Sequence, residues 1–225
     1  MPVVFSERSV SYMLESLICQ RGTVMGRKKS YDRDVLIGKA ADIFRDHGFA
    51  GTSTQMLVEH LGVNRFSLYA EFGNKQGLFD AALARYDDEV IGRSFGPLEG
   101  EGAGINEIRA LLEFYGVAAE GPAFGRGCFL CNTAVEFGPT DPGGGEFVKR
   151  YFERLSAAFL SALDNAKGVG EIRRSLDTGK EAHFFTASVL GLFVMLRAKA
   201  PAAVIGDAAG AAIDHLDGLI LKPRA

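Results

Sequence analysis

Apolar residues recur at every third or fourth position through most of the chain, in blocks separated by glycine, proline and short polar residues. The first block begins after Ser30. Leu36, Ala40, Ile43 and Phe44 share one helix face, and Gly48 follows as a stop. A short second helix is predicted from Thr52, where TSTQ offers a capping box with Thr52 as N-cap and Gln55 at the third helical position. Its apolar residues are Met56, Leu57 and Leu61, and Gly62-Val63 makes a tight turn after it. Asn64 caps a third helix carrying Arg65, Phe66, Ser67, Leu68 and Tyr69. Asn74 caps a fourth, whose face is Leu78, Phe79, Ala82, Leu83, Tyr86 and Val90.

Residues 92–104 hold five Gly and one Pro, which predicts a loop and the boundary between two parts of the chain. Helical periodicity resumes over 105–119 and 126–137, and GPTDPGGG at 138–145 breaks it. Val148, Tyr151, Phe152, Leu155, Phe159 and Ala162 define a strongly amphipathic helix that Gly168 and Gly170 end. Another starts at Asp177 or Thr178, becomes apolar on nearly all sides by Phe184–Leu196, and stops at Pro201. The last, over 203–221, aligns Ile205, Ala208, Ala212, Leu216 and Leu219. No stretch alternates with period two between hairpin turns, so the expected fold is all-α with about nine helices.

Composition narrows the function classes. Of 225 residues 47% are hydrophobic, enough for a core, with 17 Phe and no Trp. The formal charge of −3 gives no global attraction to nucleic acid, so any such contact needs a local patch. Cys19, Cys128 and Cys131 make no disulfide framework and suit a reducing compartment. Glu7, Arg8, Glu15 and Arg21 interrupt any signal-peptide core, and the apolar run at 184–196 is too short to span a bilayer. A soluble, cytoplasmic protein with no membrane partner is expected. Residues 1–24 have no cap and no sustained pattern, and read as a disordered extension ahead of Met25, which opens MGRKKSYDRD. An upstream start codon would leave the same look.

A short helix, a glycine-containing turn and a second short helix form the geometry that sets a recognition helix in the major groove. Here that unit is Thr52–Leu61, Gly62-Val63 and Asn64–Tyr69, locked by Leu57, Leu61, Val63 and Leu68. The stretch AADIFRDHGFAGTSTQMLVEHLGVNRFSLYAEFGNKQGLF, with its FxxxGF and LGVNRxSLYxxFGNKxxLF marks, resembles the DNA-binding region of the TetR family of one-component regulators. The resemblance implies a helix-turn-helix domain over 25–73, a connector helix over 74–91 and a ligand-binding and dimerisation domain over 105–225. It implies a homodimer on double-stranded operator DNA, acting as a repressor that an unknown small-molecule effector releases. No cofactor is implied.

Residue roles follow from the same likeness. Thr52, Ser53 and Thr54 sit at a helix N-terminus, where hydroxyls and amides suit a phosphate. Tyr69 and Lys75 match the family's backbone-contacting Tyr and Lys. Asn64, Arg65, Phe66 and Ser67 face outward. Arg65 suits bidentate reading of a guanine edge, and Phe66 either meets a thymine methyl or folds back on its own domain. Arg27, Lys28 and Lys29 are either an arm onto DNA or a solvated charge run. From Arg27 to Lys75 there are eight Lys/Arg against six Asp/Glu, so the basic residues must be segregated, with Asp42, Asp46 and Glu59 turned elsewhere.

In the larger part, the helices at 182–200 and 203–221 are expected to pair with their mates as a four-helix bundle, or else to be ordinary core helices. The family plan suggests an effector pocket lined by Phe114, Tyr115, Phe129, Thr133, Phe137, Phe152 and Phe184. Cys128 and Cys131, at i and i+3, share a helix face, and Arg126 and the helix N-terminus beside them would favour thiolate. GRGCFLCNTAVEFGPTDP also resembles a TetR branch with a GC-(L/F)-L-x-N-x-x-x-E helix, some of whose members sense electrophiles or oxidants through the first Cys. The alternative is two small, buried, inert cysteines. A thiol redox enzyme is a rival reading, but the βαβ context is missing. His47, His60, His183 and His215 are scattered, and no metal-ligand spacing appears.

Overall fold

The computed structural model describes residues 31–137 and 145–221. The expectations for the extension at 1–24, the basic arm at 27–29 and most of the break at 138–145 therefore lie outside the described residues. Nine helices and no strand occur among those described, with one isolated antiparallel bridge between Ile172 and Ile220. They are α1 (Arg33–Gly51), α2 (Thr54–Leu61), α3 (Arg65–Phe72), α4 (Lys75–Tyr86, a π turn Asp87–Ile91, then Gly92–Glu99), α5 (Ile105–Gly116), α6 (Phe129–Glu136), α7 (Gly145–Gly168), α8 (Thr178–Arg197) and α9 (Ala202–Leu219). The expected all-α fold is observed.

The predicted caps at Asn64 and Asn74 accept a backbone N–H from Ser67 at 2.8 Å and Gly77 at 2.9 Å, and of the two starts open for the helix at 177–178 Asp177 is the cap, accepting from Lys180 at 3.2 Å. The cap of α2 is one residue later than expected. Ser53, not Thr52, accepts from the Met56 amide at 3.1 Å. Thr52 is buried and donates its hydroxyl to the Gly48 carbonyl at 2.6 Å.

The glycine-rich stretch at 92–104 is not the expected loop. Its first eight residues continue α4, because Phe95 and Leu98 are fully buried there, and burial outweighs the weak helix propensity of Gly92, Gly96 and Pro97. The π turn lets α4 change its face between Tyr86 and Phe95. Arg154 of α7 bridges it, donating to Asp87 at 3.2 Å on one side and to Glu99 at 2.7 Å on the other. Only residues 100–104 turn. The helix expected from 126 starts at Phe129, because Gly125 and Gly127 adopt positive φ and form the turn before it.

α1 packs on α4 and α6, α7 on α8, and α9 on α5. The first and last parts of this arrangement meet at an aromatic knot. Phe79 of α4 takes Phe44 and Phe49 of the α1 region edge-on at 5.0 Å each, and Phe129 of α6 edge-on at 5.4 Å. Such contacts add to the burial of the rings themselves.

At Gly48 α1 kinks, with φ 75° and ψ 173°, a region essentially closed to other residues. A Cβ here would also stand 2.8 Å from the Glu136 carboxylate. Gly48→Ala is therefore expected to lower the unfolding free energy by about 1–3 kcal/mol. Urea unfolding measures this, and a midpoint equal to that of the unaltered protein would contradict it.

Candidate nucleic-acid interface

α2 and α3 are joined through Gly62, whose amide donates to the Val58 carbonyl at 3.1 Å and whose left-handed φ of 66° turns the chain out of α2. Leu57, Leu61 and Leu68 are buried between the helices, and Val63 is half-buried. This leaves α3 with Asn64, Arg65 and Phe66 exposed at its start. Phe66 is 85% exposed, so it does not fold back on the domain. Arg65 lies over the Tyr69 ring, its guanidinium 5.5 Å from the centroid. The Tyr69 hydroxyl hydrogen-bonds Thr54 Oγ1 at 2.6 Å. Tyr69 is thus held at both ends, by the start of α2 and by Arg65. Ser67 is half-buried, and its amide closes the Asn64 cap. The structure brings Ser53, Thr54, Asn64, Arg65, Phe66, Ser67 and Tyr69 onto the α2–α3 unit.

Two residues expected on phosphates, Lys75 and Thr52, make contacts within the protein. Lys75 Nζ donates to the carbonyls of Phe49 at 2.9 Å and Thr52 at 3.0 Å, and sits 4.1 Å from the centre of the Phe49 ring. Thr52 caps Gly48 as described. Both finish the end of α1, where the kink leaves carbonyls without intrahelical amides. The remaining carbonyls there are served from farther along the chain. Arg197 donates to Arg45 O at 2.9 Å and Asp46 O at 3.1 Å. The amides of Phe49 and Ala50 donate to Glu136 at 2.9 and 2.7 Å. Arg45 in turn donates to Gly127 O at 2.9 Å.

Of these residues Arg45 and Arg197 were not singled out from sequence, and Glu136 only as part of a pattern. Their signal was faint but present: Arg197 follows the apolar run Phe184–Leu196, and Glu136 is the lone charge in CFLCNTAVEF. The Asn and Glu of the GC-(L/F)-L-x-N-x-x-x-E pattern now have structural tasks. Asn132 donates to Arg126 O at 2.7 Å, and Glu136 holds α1. Arg126 pairs with Asp42 at 2.7 Å and Asp46 at 2.5 Å, which commits two of the acidic residues expected to lie away from DNA. Glu59 is exposed and accepts from Gln55 at 2.8 Å.

The seven residues expected to line one effector pocket do not converge. Tyr115 and Phe129 are core residues, and Phe137 joins the knot around Phe79. Phe114 lies on a groove of about 390 Å³ between α4 and α5. Phe152 lines an open groove of about 630 Å³ between α7 and α8. Thr133, with Phe129, borders a cavity of about 310 Å³ beside the seam. Phe184 is part-exposed, with the His215 ring 4.4 Å away. Periodicity marks apolar faces, and most aromatic residues on them are packing one another.

Cys128 is fully buried, 3.7 Å from the Tyr151 hydroxyl, and burial pushes its thiol above the ordinary range. Burial pushes the Cys131 thiol up to about 12. Of the two readings, burial favours the inert cysteines over thiolate: Arg126 faces Asp42 and Asp46, and desolvation outweighs the helix N-terminus. No group of three or more His, Cys, Asp or Glu suited to a metal occurs among the described residues, and no described helix is long and apolar enough to cross a membrane.

Comparison with known proteins matches the same two regions. Residues 36–82 match the model for bacterial regulatory proteins of the tetR family, and residues 104–212 match a tetracyclin repressor-like C-terminal domain. The chain is 30% identical to the uncharacterized HTH-type transcriptional regulator YezE of Bacillus subtilis, over 86% of this chain and all of that protein. It is 30% identical to the HTH-type transcriptional repressor ComR of Escherichia coli, over 76% of this chain and 82% of that one. A cysteine mutant of the TetR family regulator CifR, in a complex with 26-base-pair operator DNA, superimposes with a TM-score of 0.75 at 24% identity. That match covers 84% of this chain and 98% of that one. At that identity the likeness concerns the fold.

The buried thiols generate a test. In a Cys19→Ser background at pH 8, Cys128 and Cys131 are expected to resist alkylation by iodoacetamide in the folded protein and to react fully in denaturant. Because both side chains are buried and burial pushes both thiols up, labelling of the folded protein at pH 9 should still lag far behind that of the denatured protein. Rapid labelling of the folded protein at pH 8 would reinstate a reactive thiol.

Proposed function

The chain belongs to the TetR family of bacterial regulatory proteins, and from that premise we propose that α3 reads an operator in the major groove as one half of a two-fold dimer. The protein is a TetR-type transcriptional regulator. The observation that carries the reading is the presentation of α3, which turns Arg65 and an 85%-exposed Phe66 outward while Tyr69 is pinned to Thr54. An exposed phenyl ring on a helix start is costly in water and suits the apolar C5-methyl of thymine. Arg65 takes a guanine edge, and Ser53, Thr54 and Tyr69 take phosphates. Thr52 and Lys75 act as positioning residues, because they fix the end of α1 against α2 and α4.

The dimer uses α8 and α9. Phe184 and Val204 leave apolar surface exposed on these helices, and α9 is rich in Ala and Gly, which lets helices approach closely. The action is repression in the cytoplasm without enzymatic turnover, relieved by a small-molecule effector that binds the two states of the dimer unequally. The buried thiols favour a bound effector over a reacting one.

Selection of bound duplexes from a random pool would supply the operator. On that site Arg65→Ala is expected to weaken binding by about 10- to 150-fold, with little change on scrambled DNA. Tyr69→Phe should weaken both alike, as loss of a phosphate contact does. Phe66→Ala should relax preference at one thymine position. Equal losses on all sequences for all three variants would remove α3 from the reading role.

A further inference from the structure

The cavity beside the seam lies between the end of α1, α6 and α8, where the reading unit is held to the larger part of the chain. Phe44, Phe129 and Val194 give it apolar walls. Its volume of about 310 Å³ is at the small end of ligand pockets, which run from roughly 300 to 1,000 Å³. Two arginines line it, Arg45 and Arg197.

Neither arginine has a carboxylate partner among the described residues. Arg45 donates to Gly127 O, and Arg197 to the carbonyls of Arg45, Asp46 and Gly125. The nearby carboxylates are engaged elsewhere, Asp42 and Asp46 by Arg126 and Glu136 by the Phe49 and Ala50 amides. Two half-buried cations facing one carboxylate leave the cavity net positive. A guanidinium gains most from a carboxylate, which it can bind through two donors at once, and a neutral carbonyl gives less.

We infer that this cavity binds a small organic monocarboxylate, its charged end on Arg197 and Arg45 and its apolar body against Phe44 and Phe129. In doing so the anion competes with the Arg45 and Asp46 carbonyls of α1 for Arg197. Occupancy therefore loosens the hold on α1 and disfavours the DNA-binding arrangement. This coupling rests on the operator-binding reading above, whereas the binding itself does not.

The test uses the full chain, with benzoate and hexanoate as probes and benzamide as the uncharged counterpart of benzoate, measured by titration calorimetry. Benzoate or hexanoate should bind, and benzoate at least about tenfold more tightly than benzamide. Cys131→Met lengthens a cavity wall and leaves the named hydrogen bonds in place. Arg197→Gln keeps an amide donor for α1 but removes the charge. Each, once shown to fold by circular dichroism, should weaken benzoate by about tenfold or more. Equal binding of benzoate and benzamide, benzoate binding that neither variant alters, or binding of neither acid at millimolar concentration would overturn the assignment. Operator affinity is read separately. Benzoate that binds without weakening operator binding would overturn the competition for Arg197. Failure of the unliganded protein to bind any operator would instead remove the regulatory reading and leave the calorimetric result standing.

Discussion

A helix that ends inside a protein leaves carbonyls with no amide to accept from, and those groups must find donors. In this chain the end of α1 is such a place. The kink at Gly48 breaks the ladder, and the carbonyls there find other donors: Arg45 and Asp46 accept from Arg197, Gly48 from the Thr52 hydroxyl, and Phe49 from the Thr52 amide and Lys75. The amides of the turn that follows go to Glu136. The donors come from the α1–α2 junction, α4 and α8, and the acceptor from α6. One helix terminus therefore fixes how the reading unit, the connector and the larger bundle meet.

The aromatic knot works beside this polar seam. Phe79 contacts rings from α1 and α6 together, so the first turns of α4 cannot shift without disturbing both sides. Farther along, Arg154 holds Asp87 and Glu99 across the π turn. α4 thus runs without a break from Lys75 to Glu99 through its π turn, despite its Gly and Pro content.

Much of this was legible in the sequence wherever the cause was local. The caps at Asn64 and Asn74 follow from side-chain chemistry at a helix start, and the apolar faces follow from period 3.6. The readings that changed depended on distant partners. Residues 92–99 look like a loop until Phe95 and Leu98 find the core. Thr52 looks like a cap until Gly48, four residues back, needs its hydroxyl. The contact of Lys75 with the end of α1, 26 residues back, could not be read from its place at a helix start. The aromatic residues assigned to one pocket were correctly apolar, but periodicity does not say which other ring each one meets. The thiols followed the same rule, since Arg126 adjoins them in sequence but faces Asp42 and Asp46 in space.

The capping of α1 also orders events in time. Arg197 lies 152 residues beyond the carbonyl it serves, and Glu136 86 residues beyond the Ala50 amide it receives. A chain emerging from the ribosome at about 5–20 residues per second exposes its reading unit many seconds before those partners exist. During that interval α1 has an open end, and α2 and α3 lean on an unfinished neighbour. The polar seam at the end of α1 is therefore complete only when α8 has emerged, after the segment that forms α6, so the first described helix is among the last to have its end satisfied.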